Sequence, residues 1–205
     1  MVRIGASDVI LRDHLPEVIQ RVRAQFPSTK LILRSGYQPD LMDWMQKQEL
    51  EVALTLLEKK VPAGLRSEAI FRLPLVLLVS RKRRINSADE LWAQSRIREP
   101  LLCLPPSELI CRYFQDALRS RSIEWSPTVE LSSLELIATY VENDYGFGLA
   151  LALPGTKFSR RIKVLELPGV PPVDFGLVWR GEPTPFLKGL INESRRRAHL
   201  FGSAR

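Results

Sequence analysis

The chain has 205 residues, of which 45% are apolar and 26% are charged, close to the average for a globular protein. This composition excludes wholesale disorder, a collagen-like repeat and a disulfide scaffold, and the length suits one or two domains. No run reaches the ~18 consecutive apolar residues of a membrane span, and Asp8, Arg12 and Asp13 interrupt any signal-peptide core. We therefore expect a cytoplasmic protein with no membrane partner.

Charge provides a second constraint. Lys and Arg number 30 against 23 Asp and Glu, which gives a net charge of +7 and tolerates an anionic partner. The basic residues form short clusters at 81–84, 160–161 and 195–197. Solvated loops and a charged helix end are favoured over a DNA-contact surface, because no aromatic residues interleave with these clusters.

The opening quarter alternates between buried strands and amphipathic helices. Segment 2–5 predicts a strand, and the spacing of apolar residues over 11–26 predicts a helix. A strand over 30–34, a helix from Pro39 and a strand within 49–57 follow. Strand–helix alternation of this kind favours right-handed crossovers and a parallel sheet covered on both faces.

A long apolar strand is predicted over 70–80, with Pro74 inside it. Proline cannot donate to a strand ladder, so this strand begins at an edge or changes neighbours near Pro74. Ser87 and Glu90 have the spacing of a capping box that opens a short helix.

A second strand–helix series follows. Ser107 is a possible N-cap, and the segment from Ser132 to Glu135 has the spacing of a second capping box. A helix is expected to begin at that box and to end at Gly146 and Gly148. The remaining predicted elements are strands at 101–104, 128–131, 149–153, 163–167 and 175–179, with helices at 109–118, 136–141 and from Thr184. The order of strands and helices in the first quarter is thus repeated, which suggests two similar α/β lobes.

Polar residues follow the predicted strands, where ligands of open parallel sheets bind. They belong to the segments 6–8, 35–38, Thr55, 105–107 and 132–133. Hydroxyls and free N–H groups at helix starts favour anions, so facing lobes would line one cleft for a small polar or anionic molecule. For any single serine, helix capping is the competing explanation.

Catalytic and metal-binding motifs are absent from the sequence. It contains no nucleophile elbow, phosphate loop or paired-histidine zinc motif. Cys103 and Cys111 have no metal-ligand spacing with His14 or His199, so we expect reduced thiols that fill apolar space. No catalytic residue, metal or cofactor is predicted, although a spatially assembled site stays open.

Several motifs together resemble the effector-binding domain of LysR-type transcriptional regulators. Their order and spacing cover nearly the whole chain. The motifs are Arg3-Ile-Gly-Ala-Ser-Asp, Leu15-Pro16, Phe26-Pro27, Glu49-Leu-Glu-Val-Ala-Leu, Pro74-Leu-Val-Leu-Leu-Val-Ser-Arg, Ser132-Ser-Leu-Glu-Leu-Ile and Tyr145-Gly-Phe-Gly-Leu-Ala-Leu.

The resemblance implies an α/β fold of two Rossmann-like lobes joined by two crossover segments, as in type 2 periplasmic binding proteins. Lobe one would comprise 1–79 and 178–205, and lobe two 80–177. The effector contacts that it implies are Ser7, Gly36, Tyr37, Thr55, Pro105, Ser107 and Ser132. At the position of Pro105-Pro106 this sequence has a stiff pair of prolines rather than a Gly/Thr-rich loop.

The expected function is effector sensing in a bacterial transcription regulator. The small molecule would bind between the lobes, and DNA would be bound only by a winged-helix N-terminal domain that this chain lacks. The resemblance also implies pairing into dimers or tetramers, with the first helix and the segment 132–145 as contact surfaces. A solute-binding protein of a transporter and, less favoured, an enzyme on the same scaffold are the alternatives.

Overall fold

The computed structural model describes residues 1–94 and 96–202. The chain divides into two compact units. Unit 1 contains Met1–Arg72 and the segment from Asp174 onward, and unit 2 contains Leu73–Val173. The chain therefore passes from one unit to the other twice.

The described residues contain ten strands and six α-helices. In chain order they are β1 (Val2–Ala6), α1 (Leu15–Gln25), β2 (Leu31–Ser35), α2 (Gln38–Gln46), β3 (Val52–Leu56), β4 (Leu65–Leu73), β5 (Leu75–Ser80), α3 (Ala88–Trp92), β6 (Leu101–Cys103), α4 (Leu109–Arg119), β7 (Pro127–Glu130), α5 (Leu134–Glu142), β8 (Phe147–Leu151), β9 (Ile162–Glu166), β10 (Val173–Arg180) and α6 (Pro185–Gly202).

Unit 1 is built on a five-stranded sheet of order β2-β1-β3-β10-β4. β1 runs parallel to both β2 and β3, which confirms the parallel arrangement predicted from the opening quarter, whereas β10 runs antiparallel to β3. α1 packs against α6, with the rings of Phe26 and Phe186 5.9 Å apart. The exposed strand β2 forms one edge of the sheet.

The predicted helix over 11–26 has two parts. A π-helical turn, Ile10–His14, precedes α1. Pro16 has no N–H, so it cannot make the i→i−4 bond that would continue regular α-helix through this point. Just before it, the Leu15 N–H bonds the Ile10 carbonyl, five residues back, as in a π-helix. Apolar periodicity alone does not reveal this change of helix type.

Unit 2 is built on a second five-stranded sheet, of order β7-β6-β8-β5-β9. β6 runs parallel to β7 and β8, whereas β5 runs antiparallel to β8 and β9. Trp125 lies edge-on to Phe114 and Phe147, with ring centroids 6.2 and 6.0 Å away. Its indole N–H donates to the Glu99 carbonyl at 2.8 Å, so the core aromatic is also hydrogen-bonded.

Pro74 marks the first crossing between units. β4 ends at Leu73 at the edge of the first sheet, and β5 starts at Leu75 in the second, which confirms the predicted change of neighbours. The sequence-based limits after residues 79 and 177 lie further along the chain than the observed crossings. They put β5 in the first lobe and most of β10 in the second, whereas backbone pairing puts each strand in the other sheet.

The glycines expected to end the helix before β8 have another role. α5 ends at Glu142, and Asp144 just beyond it has a left-handed φ of 65°. Gly148 belongs to β8, and a Cβ there would lie 2.4 Å from Ile137 of α5. The prediction of a helix stop at Gly146 and Gly148 is therefore wrong, and Gly148 instead allows α5 to approach the sheet closely.

Candidate functional site

The first set of candidate residues lies at one edge of the unit 1 sheet. In the strand register Ala6 is opposite both Ser35 on β2 and Leu54 on β3. The Gly36 N–H donates to the Ala6 carbonyl at 3.1 Å, which extends this pairing past the end of β2. Ser7, Gly36 and Thr55, the next residue on each chain segment, are therefore brought to the same edge.

Thr55 differs from the position that the sequence predicts. It lies within β3 rather than after it, opposite Gly176 of β10, and it is only 5% exposed. Among the residues that the structure describes, its hydroxyl has no hydrogen-bond partner. The hydroxyl oxygen is not fully enclosed by the protein, so it can form a hydrogen bond with a ligand at this mostly buried position.

Tyr37 is the N-cap of α2 at the same edge. Its backbone N–H donates to the Asp40 carboxylate at 3.3 Å, and its carbonyl accepts from the Leu41 N–H at 2.9 Å. The carboxylate thus stabilises the positive end of the helix.

Gln38 is a polar residue that the sequence prediction left out of the assigned contacts. It is buried in the first turn of α2, and its amide nitrogen lies 3.4 Å from a Glu58 carboxylate oxygen beyond β3. Residue type and position after β2 were the available signals, since Gln38 belongs to the polar segment at 35–38. Its burial could not be read from the pattern.

Unit 2 holds a second set beyond β6 and β7. Cys103 and Glu130 are opposite each other, and the Leu131 N–H donates to the Cys103 carbonyl at 2.9 Å. Pro105 and Ser132 follow these paired positions at the carboxyl ends of the two strands. Ser107 comes two residues later, in the turn before α4. The sheet of unit 2 thus brings its three candidates to one edge, with both serines exposed.

The serines of the second set do not cap the helices they precede. Ser133, not Ser132, is the N-cap of α5, and its hydroxyl accepts from the Leu136 N–H at 3.1 Å. Glu108, not Ser107, is the N-cap of α4. The capping predictions for Ser132 and Ser107 are therefore wrong by one residue, a shift smaller than sequence signals resolve.

This result removes helix capping as an explanation for Ser107 and Ser132. Within residues 1–94 and 96–202, the hydroxyls of Ser7, Ser107 and Ser132 make no hydrogen bond. At two of these helix starts the next residue along the chain, Glu108 or Ser133, occupies the N-cap position. The hydroxyls are consequently available to another molecule.

The two cysteines lie together in the core of unit 2. Both are free and buried, and the Cys111 thiol donates to the Leu104 carbonyl at 3.1 Å. A hydrogen bond with the Cys111 thiol, together with burial, raises the pKa of Cys103 far above its ordinary value. The Cys103 thiol is therefore held neutral and unreactive, and it acts as a small apolar side chain.

The described residues give no support to two other kinds of site. No three His, Cys, Asp or Glu side chains in this part of the chain gather as metal ligands would. In the same residues, no helix is both long enough and apolar enough to cross a membrane.

Comparison with solved structures identifies the same architecture in other proteins. The effector binding domain of a BenM variant superposes with a TM-score of 0.81 at 16% identity, covering 98% of this chain and 95% of that one. HinK, a LysR family transcriptional regulator from Pseudomonas aeruginosa, gives 0.78 at 17%, covering 96% and 69%. The reduced regulatory domain of OxyR2 from Vibrio vulnificus gives 0.75 at 21%, covering 97% and 94%. No curated protein matches the chain in sequence.

These likenesses confirm the predicted fold, with two α/β units joined by two crossings of the type 2 periplasmic-binding-protein kind. The alternative of a transporter's solute-binding protein is not favoured. The family of LysR substrate binding domains matches residues 1–198. The chain therefore belongs to the LysR substrate binding domain family and is an effector-binding domain of the LysR type.

Proposed function

We propose that this chain senses a small polar or anionic effector for a LysR-type regulator that binds DNA through a separate N-terminal domain. In unit 1 the effector contacts are Ser7, Gly36, Tyr37 and Thr55. In unit 2 they are Pro105, Ser107 and Ser132. That the two sets face one cleft stays a prediction.

One observation carries the proposal most strongly. Thr55 is a mostly buried residue whose hydroxyl bonds no described residue, and the strand register puts it at the same sheet edge as Ser7. A hydrogen bond between this hydroxyl and an effector oxygen or nitrogen would contribute about 0.5–1.5 kcal/mol to binding. Hydroxyls and N–H groups at helix starts suit a carboxylate or a similarly polar molecule.

The proposed signal is a shift between two states of the domain. An effector moves such an equilibrium only by the difference between its affinities for the two states. The domain needs no chemical step for this, so we propose that it is not an enzyme and requires no cofactor. Acting on DNA places the regulator in the cytoplasm.

Self-association is part of the proposal. β2 presents the half-exposed side chains of Ile32 and Leu33 at the edge of unit 1, and Leu136 of α5 is 40% exposed in unit 2. Edge strands and exposed apolar side chains favour pairing with another chain. We propose that these surfaces, together with α1, form dimers or tetramers.

Ligand-induced thermal stabilisation tests the proposed site. The chain is screened against small carboxylates, amino acids and aromatic acids, and any compound that raises the melting temperature is titrated against variants. Thr55→Val and Ser7→Ala should each weaken binding about threefold to tenfold, the equivalent of one missing hydrogen bond. The unliganded melting temperature should change little, because neither hydroxyl is bonded to a described residue.

The matched control is Ser67→Ala, which removes an exposed hydroxyl from β4. This variant should bind the same compound as tightly as the unmodified chain does. If stabilisation persists unchanged in both Thr55→Val and Ser7→Ala, the site is misplaced. Turnover of the bound compound would contradict the proposed absence of enzymatic activity.

A further inference from the structure

The two basic segments that the sequence separates by almost 80 residues are adjacent in unit 2. β5 and β9 pair with Ser80 opposite Ile162, so the segment after β5 lies beside the segment before β9. The Arg81 N–H donates to the Arg161 carbonyl at 2.8 Å, and the Lys163 ammonium donates to the Arg83 carbonyl at 2.7 Å. Folding therefore joins two short clusters into one cationic surface.

Some of these cations are engaged within the protein. Arg83 forms an ion pair with Asp144 at 2.7 Å, and Arg161 lies 3.8 Å from Glu142. The others are exposed, and none of them has an ion pair or side-chain hydrogen bond among the described residues. These are Arg81, Lys82, Arg84 and Arg160, which we call the basic patch.

Positive charge is concentrated in and around the basic patch rather than spread over unit 2. The unit carries 13 Lys and Arg against 11 Asp and Glu, and 8 of those 13 cations lie in 81–84 and 157–163. Segments 73–88 and 145–165 contain no acidic residue. Unpaired cations close together raise the local positive potential far more than a net charge of +2 would.

Unit 1 shows the opposite pattern. Many of its arginines are paired with carboxylates, so their charges are neutralised within the unit. The pairs are Arg3–Glu51, Arg34–Glu49, Arg66–Glu182, Arg195–Glu68 and Arg197–Glu17. The arginines of unit 1 show that basic residues of this protein can be paired with carboxylates. The basic patch differs from them because its four cations have no such partner among the described residues.

The patch and the candidate effector contacts lie at opposite ends of the strands of the unit 2 sheet. β5 runs antiparallel to β8, and β8 runs parallel to β6, so the end of β5 lies at the amino ends of β6 and β8. Pro105 and Ser132 follow the carboxyl ends of β6 and β7. A molecule on the patch would leave those contacts uncovered.

We propose that the basic patch contacts the phosphate backbone of duplex DNA. Guanidinium and ammonium groups bind phosphate oxygens, and a duplex presents them in a dense, regular array. Such contacts position a protein on DNA without reading its sequence. The proposal rests on the proposed function, because the attached DNA-binding domain would hold the patch at high effective concentration near a duplex.

Fluorescence anisotropy with a labelled duplex of arbitrary sequence tests the patch, using the chain without effector. The unmodified chain should bind at low salt, and its log Kd should vary linearly with log salt concentration. The variant Arg81→Gln, Lys82→Gln, Arg84→Gln should bind roughly tenfold or more weakly, with the slope reduced by about one for each phosphate that is no longer neutralised.

The matched control is Lys59→Gln, Lys60→Gln, Lys188→Gln, which removes the same charge from exposed lysines of unit 1. It should bind as the unmodified chain does, and melting temperatures check that both variants fold. Arg160→Gln with Lys82→Gln probes the patch independently should the triple variant fail to fold.

Three results would overturn the proposal: equal losses in the patch and control variants, no duplex binding by the unmodified chain at low salt, or patch-dependent binding to phosphatidylglycerol vesicles without patch-dependent binding to the duplex. Because the assay contains no effector, its failure leaves the effector site untouched. A failed thermal-shift experiment likewise leaves this result unaffected.

Discussion

The two units hold their candidate effector contacts by different means. In unit 1, Ser7, Gly36 and Thr55 continue or belong to paired strands, and Thr55 is buried. In unit 2, Ser107 and Ser132 lie in exposed turns, each beside the residue that caps a helix. The backbone ladder therefore fixes the first set, whereas the second depends on how two helices begin. A change that strains the ladder should thus have a larger effect than one that removes a cap.

The largest expected effect comes from Gly176→Ala in unit 1. Gly176 lies opposite Thr55 in the register, and a Cβ there would lie 1.9 Å from the Glu68 carbonyl oxygen of β4. Backbone in a sheet cannot move aside easily, so we expect a loss of about 3 kcal/mol or more in the free energy of unfolding. Urea unfolding measures it.

Gly148→Ala is the matched change in unit 2. Its Cβ would meet side-chain carbons of Ile137 and Val141, at 2.4 and 2.8 Å, rather than backbone. These side chains can shift together with α5, so we expect a cost of about 1–2 kcal/mol. Equal costs at the two glycines would mean that unit 1 holds its edge no more rigidly than unit 2 does.

A smaller effect should separate the two serines that open α5. Ser133→Ala removes the hydroxyl that accepts from the Leu136 N–H, and it should cost about 1 kcal/mol of stability. Ser132→Ala removes an exposed hydroxyl that bonds no described residue, and it should cost less than about 0.5 kcal/mol. Thermal melts of both variants measure the difference. A reversed order would assign the cap to Ser132.

The smallest effect concerns His14, in the π-helical turn that follows Ser7 in unit 1. Burial lowers the pKa of His14 below its ordinary value of 6.5, and the Arg197 charge acts in the same direction, against a weaker opposing effect of Asp13. The unfolded chain therefore binds the proton more readily than the folded one does. Stability from the neutral imidazole is present above the ordinary pKa and decreases as the pH falls through it.

Melting temperatures at pH 7 and about pH 5 test this sign. The unmodified chain should lose more on acidification than His14→Gln does, and carboxylates common to both proteins cancel in the comparison. A larger acid loss in His14→Gln would show that the turn favours the charged imidazole.

Local pattern predicted most of the fold, and long-range pairing accounts for the errors. Apolar periodicity predicted the strands and helices of both units, and Pro74 predicted where one sheet gives way to the next. It could not show which sheet β5 and β10 join, because an apolar strand has no marker of its partner. For the same reason, the adjacency of Arg81 and Arg161 became visible only in the folded chain.

The sequence indicated where along the chain the candidate site residues lie, but not how buried each side chain is. Polar residues after parallel strands are brought together by topology, which a sequence reveals through its alternation of elements. Burial of Gln38 and Thr55 depends on neighbours from distant strands, and helix caps are resolved only to within a residue or two. Ser133 and Glu108 were missed as caps for that reason.

The adjacent thiols of Cys103 and Cys111 provide an internal reporter. Both lie in unit 2, and their burial prevents alkylation while that unit stays closed. The rate at which a thiol reagent labels the native chain therefore counts how often unit 2 opens, without an introduced probe. Labelling kinetics with and without effector would then reveal whether binding slows the opening of that half of the molecule.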